Sequence, residues 1–442
     1  MRLTKLMAVP LLALSLLAAC GDDDDDDTTA GSPSEEPAAE AGDDTGTVTV
    51  FSAMEPAEVD AVEAAIAEGM ADAEYEVEIE ASADFEEQAK IRIEGGNPND
   101  VMLYPQPGAV VELARSGDAI ALEDLGFDIG ELEDRFGEYF VSLGEFEGKH
   151  YGMPSNINLK SMVWYPKDDF DAAGYEVPET WDDMTALADQ IKADGGTPWC
   201  VGFESEAASG WPATDWMEDI MLRTAGTDVY DQWVTHEIPF DDESVQNAGE
   251  VFGQVMFGDG YVLGGADQTP AIAFGDAPGP MFEDPPGCWL HRQASFINAF
   301  FPEDAEAGVD YDWFPFPPID QEGTLFAGEF AVTFRNAPEV VDFLERFSSD
   351  DVQCAQGGEV GSARLSPNIE VGPDCYANDI LAASSEVVTT ALAEDTGRFD
   401  ASDQMPTEVG SGSFWTGMVA YMQGGPDSLT GVLDEIEASW PQ

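Results

Sequence analysis

Strand-like and helix-like segments alternate after residue 46, and this alternation constrains the fold more than any other feature of the sequence. The β-branched run 47–51 predicts a strand, and an apolar stripe with helical spacing follows over 59–70. A strand over 75–79, a helix over 85–93 and a strand over 100–104 continue the pattern. Such an order places parallel strands in one sheet, because right-handed crossovers connect them. The sequence therefore predicts an α/β protein.

The ends of the predicted strands indicate where a ligand would bind. In parallel sheets of this kind, ligands lie beyond the carboxyl ends of the strands. Tyr104 and Gln106 lie where the third strand ends, so both are predicted to contact a ligand. Ordinary loop packing is the alternative for both side chains.

The folded part of the chain is too long for a single hydrophobic core. About 400 residues follow the first 46, whereas cores stop growing beyond about 250–300 residues. We therefore expect two lobes. Lobe 1 is predicted to comprise 47–154 and about 309–372, and lobe 2 to comprise 155–308 and about 373–442. A chain that crosses between lobes more than once makes a hinged pair with a cleft between them.

The N-terminus has the pattern of an export signal. Arg2 and Lys5 precede an apolar run over 6–19, which ends in Leu-Ala-Ala before Cys20. Because the run is too short to span a bilayer, a cleaved secretory signal over 1–19 is predicted. The tetrapeptide ending at Cys20 resembles the lipobox of bacterial lipoproteins, which implies that Cys20 carries a lipid anchor. A cleaved signal with an incidental cysteine is the alternative.

Residues 20–46 are predicted to form an acidic, disordered tether that begins at the lipid-anchor cysteine. Six consecutive aspartates, 22–27, precede Thr, Ser, Pro, Glu and Ala residues, and this composition buries too little apolar surface to fold. Adjacent carboxylates in a flexible chain do not converge on one calcium ion, so a solvated linker is favoured over a calcium site. The tether would hold the folded part away from the membrane.

The charge balance excludes several partners. The 16 basic and 90 acidic residues give a formal net charge of −74. A nucleic-acid partner is excluded, because binding it requires neutralisation of phosphates by Lys and Arg. Anionic ligands are disfavoured for the same reason. The acidity resembles that of salt-adapted proteins, which is a hypothesis about habitat rather than activity.

Four further cysteines occur in the exported part, namely Cys200, Cys288, Cys354 and Cys375. An even number in an oxidising compartment predicts two disulfides, for which three pairings are possible. We favour Cys354 with Cys375, which closes a short loop and leaves Cys200 for Cys288. The sequence contains no CxxC and only three widely spaced histidines, which argues against a zinc site.

Several segments, taken in order, resemble the extracellular solute-binding proteins of ABC sugar importers, in the branch associated with α-glucosides. The resemblance runs from about Thr47 to Trp440. It is carried by Gly-Gly-Asn-Pro-Asn-Asp-Val at 95–101, Tyr-Pro-Lys at 165–167, Pro-Glu-Thr-Trp-Asp at 178–182, Ser-Gly-Trp-Pro-Ala-Thr-Asp-Trp at 209–216 and Phe-Asp-Ala-Ser-Asp-Gln-Met-Pro at 399–406.

This resemblance implies a periplasmic-binding-protein-like fold of type II, with two α/β lobes and a hinged cleft between them. It also implies capture of a carbohydrate, delivery to the permease subunits of an importer, and attachment to the outer face of the cell membrane through lipid alone. We expect a monomer. The chain departs from the family's pattern at 98–100, at 165–167 and at Gly328-Glu329, where the family has Gly-Asp. Because the extra methylene moves the carboxylate outward, the ligand is expected to differ from the family's usual one.

A sugar presents apolar ring faces and a rim of hydroxyl groups, so its site needs aromatic rings and hydrogen-bonding carboxylates or amides. Trp211 lies in a loop just before a helix, where no core periodicity explains it, and is predicted to contact ligand. Packing is the alternative. Trp216, inside the helix, is a further candidate for which a core position is the stronger interpretation. Asp215 between them could cap the helix or accept a ligand hydroxyl.

Three further candidates lie near the C-terminal half of the resemblance. Asp403 follows a Phe-Asp-Ala-Ser turn in an irregular segment, and its carboxylate is predicted to face the cleft. Glu329 is predicted to do the same. Trp415 follows a Gly-Ser-Gly-Ser segment, which would bring its indole to a helix N-terminus at the cleft. Core packing is the alternative for Trp415.

The function predicted from the sequence is binding without catalysis. The sequence contains no GxSxG, P-loop, HExxH or EF-hand pattern. A secreted glycosidase, which would use two carboxylates, is the weaker alternative. Another alternative ligand is a cationic solute such as a polyamine or a basic peptide, because aromatic rings and acids also bind cations. No cofactor and no metal are predicted.

Overall fold

The computed structural model describes residues 46–54, 56–359 and 362–441. The predicted signal peptide, Cys20 and all but the last residue of the predicted tether lie outside these ranges. Within them, no helix combines the length and the apolarity that a membrane span requires.

Strands and helices alternate from β1 to α3, and runs of consecutive helices and strands follow. The strands are β1 (Thr47–Ser52), β2 (Glu76–Ala81), β3 (Val101–Tyr104), β4 (Glu145–Phe146), β5 (Lys149–His150), β6 (Gly152–Leu159), β7 (Met162–Tyr165), β8 (His291–Arg292), β9 (Asp312–Pro315), β10 (Thr324–Thr333) and β11 (Gly397–Phe399). The α-helices are α1 (Pro56–Gly69), α2 (Phe85–Glu94), α3 (Pro107–Ser116), α4 (Leu122–Leu125), α5 (Ile129–Phe136), α6 (Glu138–Ser142), α7 (Lys167–Ala173), α8 (Trp181–Ala193), α9 (Trp211–Ala225), α10 (Thr227–Val234), α11 (Glu243–Met256), α12 (Pro338–Phe347), α13 (Asp350–Gly358), α14 (Asp379–Ala393), α15 (Ala401–Gln404), α16 (Trp415–Gly424) and α17 (Leu429–Glu437).

The larger sheet confirms the predicted β-α-β-α-β start. β1 pairs in parallel with β2 on one side and with β3 on the other. β10 runs antiparallel to β3 and β6 and parallel to β11, so the order is β11-β10-β3-β1-β2 with β6 also paired to β10. Val48, Val50 and Phe51 of β1 are all buried, as expected for a strand covered on both faces.

A smaller antiparallel sheet has the order β8-β7-β9. Only Lys160 and Ser161 connect β6 of the larger sheet to β7 of the smaller one. The Ser161 hydroxyl donates to Asp219 on α9 and accepts from the backbone N–H of Leu325 in β10. Ser161 therefore connects this short crossover to α9 and to β10 of the larger sheet. The boundaries of the two lobes stay a prediction.

Both favoured disulfides are confirmed. Cys200 is bonded to Cys288 across 88 residues, and Cys354 is bonded to Cys375 across 21 residues. Cys200 and Cys288 are buried beside the smaller sheet, where the Cys200 N–H donates to the Leu290 carbonyl. Each bond joins segments that the fold already places together.

Candidate ligand-binding site

A cavity of about 190 Å³ lies at the carboxyl ends of the parallel strands of the larger sheet. Met54 follows β1 and Gln106 follows β3, and both line the cavity. β6 and β10 contribute Asn156, Asn158 and Glu329 from paired positions of their ladder. The two asparagines alternate with a buried Ile157, so they share one face of their strand. The cavity thus lies where the strand order predicts a ligand.

One wall of the cavity is aromatic. The half-buried indole of Trp211 lies 5.1 Å from the ring centre of Phe274 and 5.9 Å from that of Phe296. All three rings line the cavity, together with that of Trp415. Edge-to-face and tilted contacts of this kind leave ring faces available for stacking on a ligand.

A close backbone contact holds the two tryptophans side by side. Trp211 begins α9 and Trp415 begins α16. Gly210 has a φ of 111°, and a Cβ atom there would lie 2.2 Å from the carbonyl oxygen of Trp415. Only glycine fits this position. α16 is preceded by a π-helical segment, Glu408–Phe414, and the Trp415 indole N–H donates to the Ser402 hydroxyl at 3.2 Å.

Carboxyl groups line the cavity beside these rings. Glu329 accepts a hydrogen bond of 2.6 Å from Arg364. Glu86 accepts a hydrogen bond of 3.0 Å from the Gln106 amide, and burial raises the pKa of Glu86 above its ordinary value. Burial, together with the neighbouring Asp400 carboxylate, raises the pKa of Asp403 well above its ordinary value. A raised pKa favours the neutral acid, which can both donate and accept hydrogen bonds.

Two buried acceptors in the cavity lining lack partners. Within the described chain, no donor reaches Oε1 of Gln106 or Oδ1 of Asn156. Gln106 is 6% exposed and Asn156 is 2% exposed. An unpaired buried carbonyl oxygen costs free energy unless a ligand or a water molecule supplies the missing donor. These atoms therefore suit a ligand that carries several hydroxyl donors.

Lys160 lies beneath the aromatic wall at the crossover between the sheets. Its ammonium donates to Asp215 Oδ1 and Asp400 Oδ2, each at 2.7 Å. Burial acts to lower the pKa of Lys160, but these two carboxylates outweigh it and the net pKa is raised, so the side chain stays charged. Burial acts on Asp400 as well, yet Lys160 and the surrounding hydrogen bonds lower its pKa to about 2.

The carboxylates of Asp215, Glu218 and Asp400 lie within 4.8 Å of one another, a separation that a metal ion could bridge. The Lys160 ammonium lies between two of them, so the chain itself supplies positive charge at this position. Glu218 accepts from the backbone N–H groups of Ala401 and Ser402. The cluster therefore holds the start of α15 against α9.

The structure brings together five of the eight predicted ligand-binding residues. Trp211, Asp403, Trp415, Glu329 and Gln106 all line the cavity. Glu329 lies inside β10, at a shift in its register with β6. Whether these residues bind a ligand stays a prediction.

The other three candidates lie outside the cavity lining. Tyr104 is buried, with its ring 5.0 Å from that of Phe85. Trp216 packs in the core, 5.0 Å from Trp199, as the helical spacing suggested. Asp215 does not cap α9, because it lies a full turn inside the helix and binds Lys160 instead. For Asp215 the tertiary contact outweighs the local capping signal.

Reasoning from sequence missed Lys160, Phe274, Phe296, Asn156, Asn158 and Glu86. A signal for Lys160 was available, since it is one of only six lysines and lies two residues before the start of β7. Phe274 lies in a turn between β7 and β8, and Phe296 lies in a short 3-10 helix, Ser295–Phe300, after β8; neither segment is long enough to show a periodicity.

Comparison with known proteins identifies the family. The model of the bacterial extracellular solute-binding protein family matches residues 56–353. The chain belongs to this family. Solute-binding proteins of this family act outside the cytoplasm, and this one is the extracellular solute-binding component of an ABC transporter. Its family and its fold are those of binding proteins rather than of enzymes.

Two relatives of this solute-binding protein are similar over most of its length. The osmoprotective compounds-binding protein GgtB of Synechocystis sp. is 37% identical over 412 residues, which cover 92% of this chain and 95% of GgtB. The alpha-glucosides-binding periplasmic protein AglE of Rhizobium meliloti is 39% identical over 381 residues, which cover 83% of this chain and 80% of AglE.

A solved structure establishes the fold of the solute-binding protein. The bacterial solute receptor AcbH superposes with a TM-score of 0.75, covering 89% of this chain and 98% of AcbH at 18% identity. AcbH is described as having an exclusive preference for β-D-galactopyranose. At this identity the likeness concerns the fold alone. The predicted type II periplasmic-binding-protein fold is confirmed.

Proposed function

We propose that this solute-binding protein captures a carbohydrate, an α-glucoside or another oligosaccharide, and delivers it to the permease of an ABC importer. The observation that carries the proposal is the arrangement of the cavity. Trp211 and its aromatic neighbours line the cavity together with amide and carboxyl oxygens, and two of these acceptors have no partner in the described chain. Sugars need rings to stack on and acceptors for their hydroxyl groups.

The relatives support the same class of ligand. AglE is named for α-glucosides and GgtB for osmoprotective compounds, and this chain resembles both over most of its length. Solved structures with the same fold include a maltose-bound protein and a raffinose complex. These names describe those proteins, and they make an α-glucoside the first ligand to try here.

A cationic solute is the alternative, and the paired or buried state of most carboxyl groups in the cavity lining, which also includes Glu58, disfavours it. Arg364 neutralises Glu329, and Lys160 neutralises Asp400. Glu86 and Asp403 have raised pKa values because they are buried. A cation in the cavity would therefore encounter the positive charge of Lys160. The carboxyl groups of Glu86 and Asp403 would attract it weakly, because their raised pKa values favour the neutral acid. A neutral polyol needs no compensating charge.

Capture would proceed by closure of the two predicted lobes, 47–154 with about 309–372 and 155–308 with about 373–442, around the ligand. The crossover at Lys160 and Ser161 is one of the places where the chain would bend. Ligand that touches both lobes stabilises the closed form and so shifts the population toward it. The permease would then recognise the closed form.

We also propose that Cys20 carries a lipid anchor. The supporting observation is the lipobox-like sequence before Cys20 and the acidic segment after it. One lipidated cysteine would keep the protein at the outer face of the membrane, next to its permease. The segment 20–46 would separate the folded part from the membrane surface. We expect the protein to act as a monomer.

The proposal is tested by thermal denaturation of the mature chain with Cys20→Ser, at high salt, against mono- and oligosaccharides. Polyamines and amino acids serve as controls. A ligand that binds only the native state raises the midpoint of unfolding. A rise with an α-linked glucoside that is recovered intact would support sugar binding. A rise with a polyamine alone, weakened by salt, would overturn the sugar assignment.

A further inference from the structure

Lys160 is the only basic residue among those that line the described cavity. It lies in the two-residue crossover between β6 and β7, and its side chain is 7% exposed. A buried lysine beside a ligand cavity is costly unless its charge is compensated. Here Asp215 on α9 and Asp400 after β11 provide the compensation, each at 2.7 Å.

The hydrogen-bond donors of this ammonium are not all used. A lysine ammonium carries three N–H donors. Two of them bind Asp215 and Asp400, and within the described chain no acceptor takes the third. Because Lys160 lines the cavity, a ligand oxygen is the natural partner for the remaining donor.

Lys160 also lies at the centre of the contacts that place the aromatic wall. Its Nζ atom is 5.1 Å from the ring centre of Trp211, within range of a cation–π contact. Asp400, which Lys160 holds through Oδ2, accepts from the Ser402 hydroxyl through Oδ1 at 2.8 Å. Ser402 in turn accepts from the Trp415 indole at 3.2 Å. One ammonium is therefore connected to both tryptophans.

We infer that Lys160 is a ligand-binding residue that donates its third N–H to one oxygen of the bound saccharide while its other two donors position the aromatic wall. This inference rests on the proposed carbohydrate function and adds a specific donor to it. A charged donor aimed at one oxygen makes the site selective for ligands that carry an acceptor there. It also opposes the entry of cationic solutes, since their charge would face the ammonium.

The test uses Lys160→Met, which keeps the unbranched shape and most of the length of the side chain and removes its charge and donors. Lys149→Met is the matched control, because Lys149 is 45% exposed and pairs with Asp124 away from the cavity. A second variant, Lys160→Met with Asp215→Asn, removes the ammonium together with one of the two carboxyl groups that it contacts, so that the result does not depend on the folding of the single variant. Near-ultraviolet circular dichroism checks that each variant is folded.

The probes are methyl α-D-glucopyranoside and maltose, with the monodeoxy analogues of whichever binds, measured by titration calorimetry. We expect Lys160→Met to weaken binding roughly 10- to 100-fold, the loss typical of a hydrogen bond from a charged donor. Lys149→Met should leave the affinity unchanged. In the wild type, one monodeoxy analogue should show a similar loss, and that loss should vanish in Lys160→Met.

The analogue series separates ligand contact from a structural role. A lysine that only shaped the wall would weaken all analogues equally, and an equal loss would overturn the inference. Unchanged affinity in Lys160→Met would also overturn it while leaving the carbohydrate function in place. If the wild type bound neither glucoside, the proposed α-glucoside function would fail, and the inference that rests on it would fail too.

Discussion

The Arg364 guanidinium donates a 2.6 Å hydrogen bond to Oε2 of Glu329, and both side chains are largely buried beside the cavity. Arg364 also donates to Gln356 at 3.1 Å, which fixes the direction of the guanidinium. Glu329 consequently has one oxygen held by arginine, while no donor in the described chain reaches the other. The pair gives the cavity an oriented acceptor at the position where the family pattern has aspartate.

Glu329→Asp is predicted to alter ligand preference more than stability. Shortening the side chain by one methylene moves the carboxylate away from Arg364. The carboxylate oxygen that Arg364 does not bind would then no longer lie where it accepts from the ligand. We expect the affinity for an α-glucoside to fall by about 10-fold, the equivalent of one hydrogen bond of about 1.4 kcal/mol. Titration calorimetry measures it. Glu339→Asp makes the same change in the Arg335 pair outside the cavity lining, and an equal loss there would contradict the prediction.

Trp211→Ala is predicted to weaken sugar binding by roughly 10- to 100-fold, because the indole supplies a stacking surface in the cavity. Trp211→Phe should retain part of the affinity. Trp440→Ala is the control, since that ring stacks on His236 at 4.1 Å and does not line the cavity. Intrinsic fluorescence titration follows all three variants. Full affinity in Trp211→Ala would show that the ligand binds elsewhere.

The stability of the fold is predicted to fall as pH rises through the acidic range, in part because of Asp215. Burial raises the pKa of this carboxyl to about 7, although Lys160 and Arg292 act to lower it, and Asp400 adds to the rise. An unfolded aspartate has a pKa of about 3.9. The folded state therefore binds the proton more tightly, and the resulting stabilisation is full below about pH 4 and lost as pH approaches about 7.

Asp215→Asn should remove this contribution and flatten the decline between pH 4 and 7, by at most about 1.4 kcal/mol per pH unit. Urea denaturation at fixed high salt, repeated at several pH values, measures the slope. Asp182→Asn in the first turn of α8 is the control, because that side chain is exposed. Equal slopes for the wild type and Asp215→Asn would contradict the assignment.

Removal of the shorter disulfide is predicted to destabilise the fold without removing the cavity. The Cys354–Cys375 bond closes a loop of 21 residues, for which loop entropy gives about 3 kcal/mol. The double variant Cys354→Ser with Cys375→Ser should unfold at lower urea concentration and bind ligand with unchanged affinity when folded. Neither cysteine lines the cavity. Loss of binding by the folded variant would connect this loop to the site.

Cys20→Ala is predicted to release the protein from the membrane. Lipidation of that cysteine is the proposed anchor. Fractionation of cells that express the variant should recover the protein in the soluble extracytoplasmic fraction. Ser15→Ala, within the same apolar run, should leave the protein at the membrane. Retention of a Cys20→Ala protein from which residues 1–19 have been removed would rule out this anchor.

Local pattern was sufficient for much of the fold. The β-branched and alternating segments predicted the parallel strands at the start of the larger sheet. This prediction was possible because the spacing of apolar residues over a few neighbouring positions distinguishes a strand from a helix. The short spacing of Cys354 and Cys375 gave one disulfide and, by elimination, the other. Trp211 and Gln106 were found because irregular segments that follow strands or precede helices place side chains at the cavity.

Local pattern failed where long-range contacts decide the role of a residue. Tyr104 has the chemistry of a sugar site, but its ring packs against that of Phe85 and does not line the cavity. Asp215 carries a capping signal, yet its partner is a lysine 55 residues earlier in the chain. None of these partners is adjacent in sequence.

The sequence by itself determined the α/β class of the fold and the family, since both depend on short segments of the chain, whereas the export signal stays a prediction. The tertiary structure alone decided the cavity, because its walls come from segments hundreds of residues apart. Lys160 meets Asp400 across 240 residues, and Glu329 meets Arg364 across 35. The buried charges at this site are stable only when such partners converge, and convergence is a property of the folded chain.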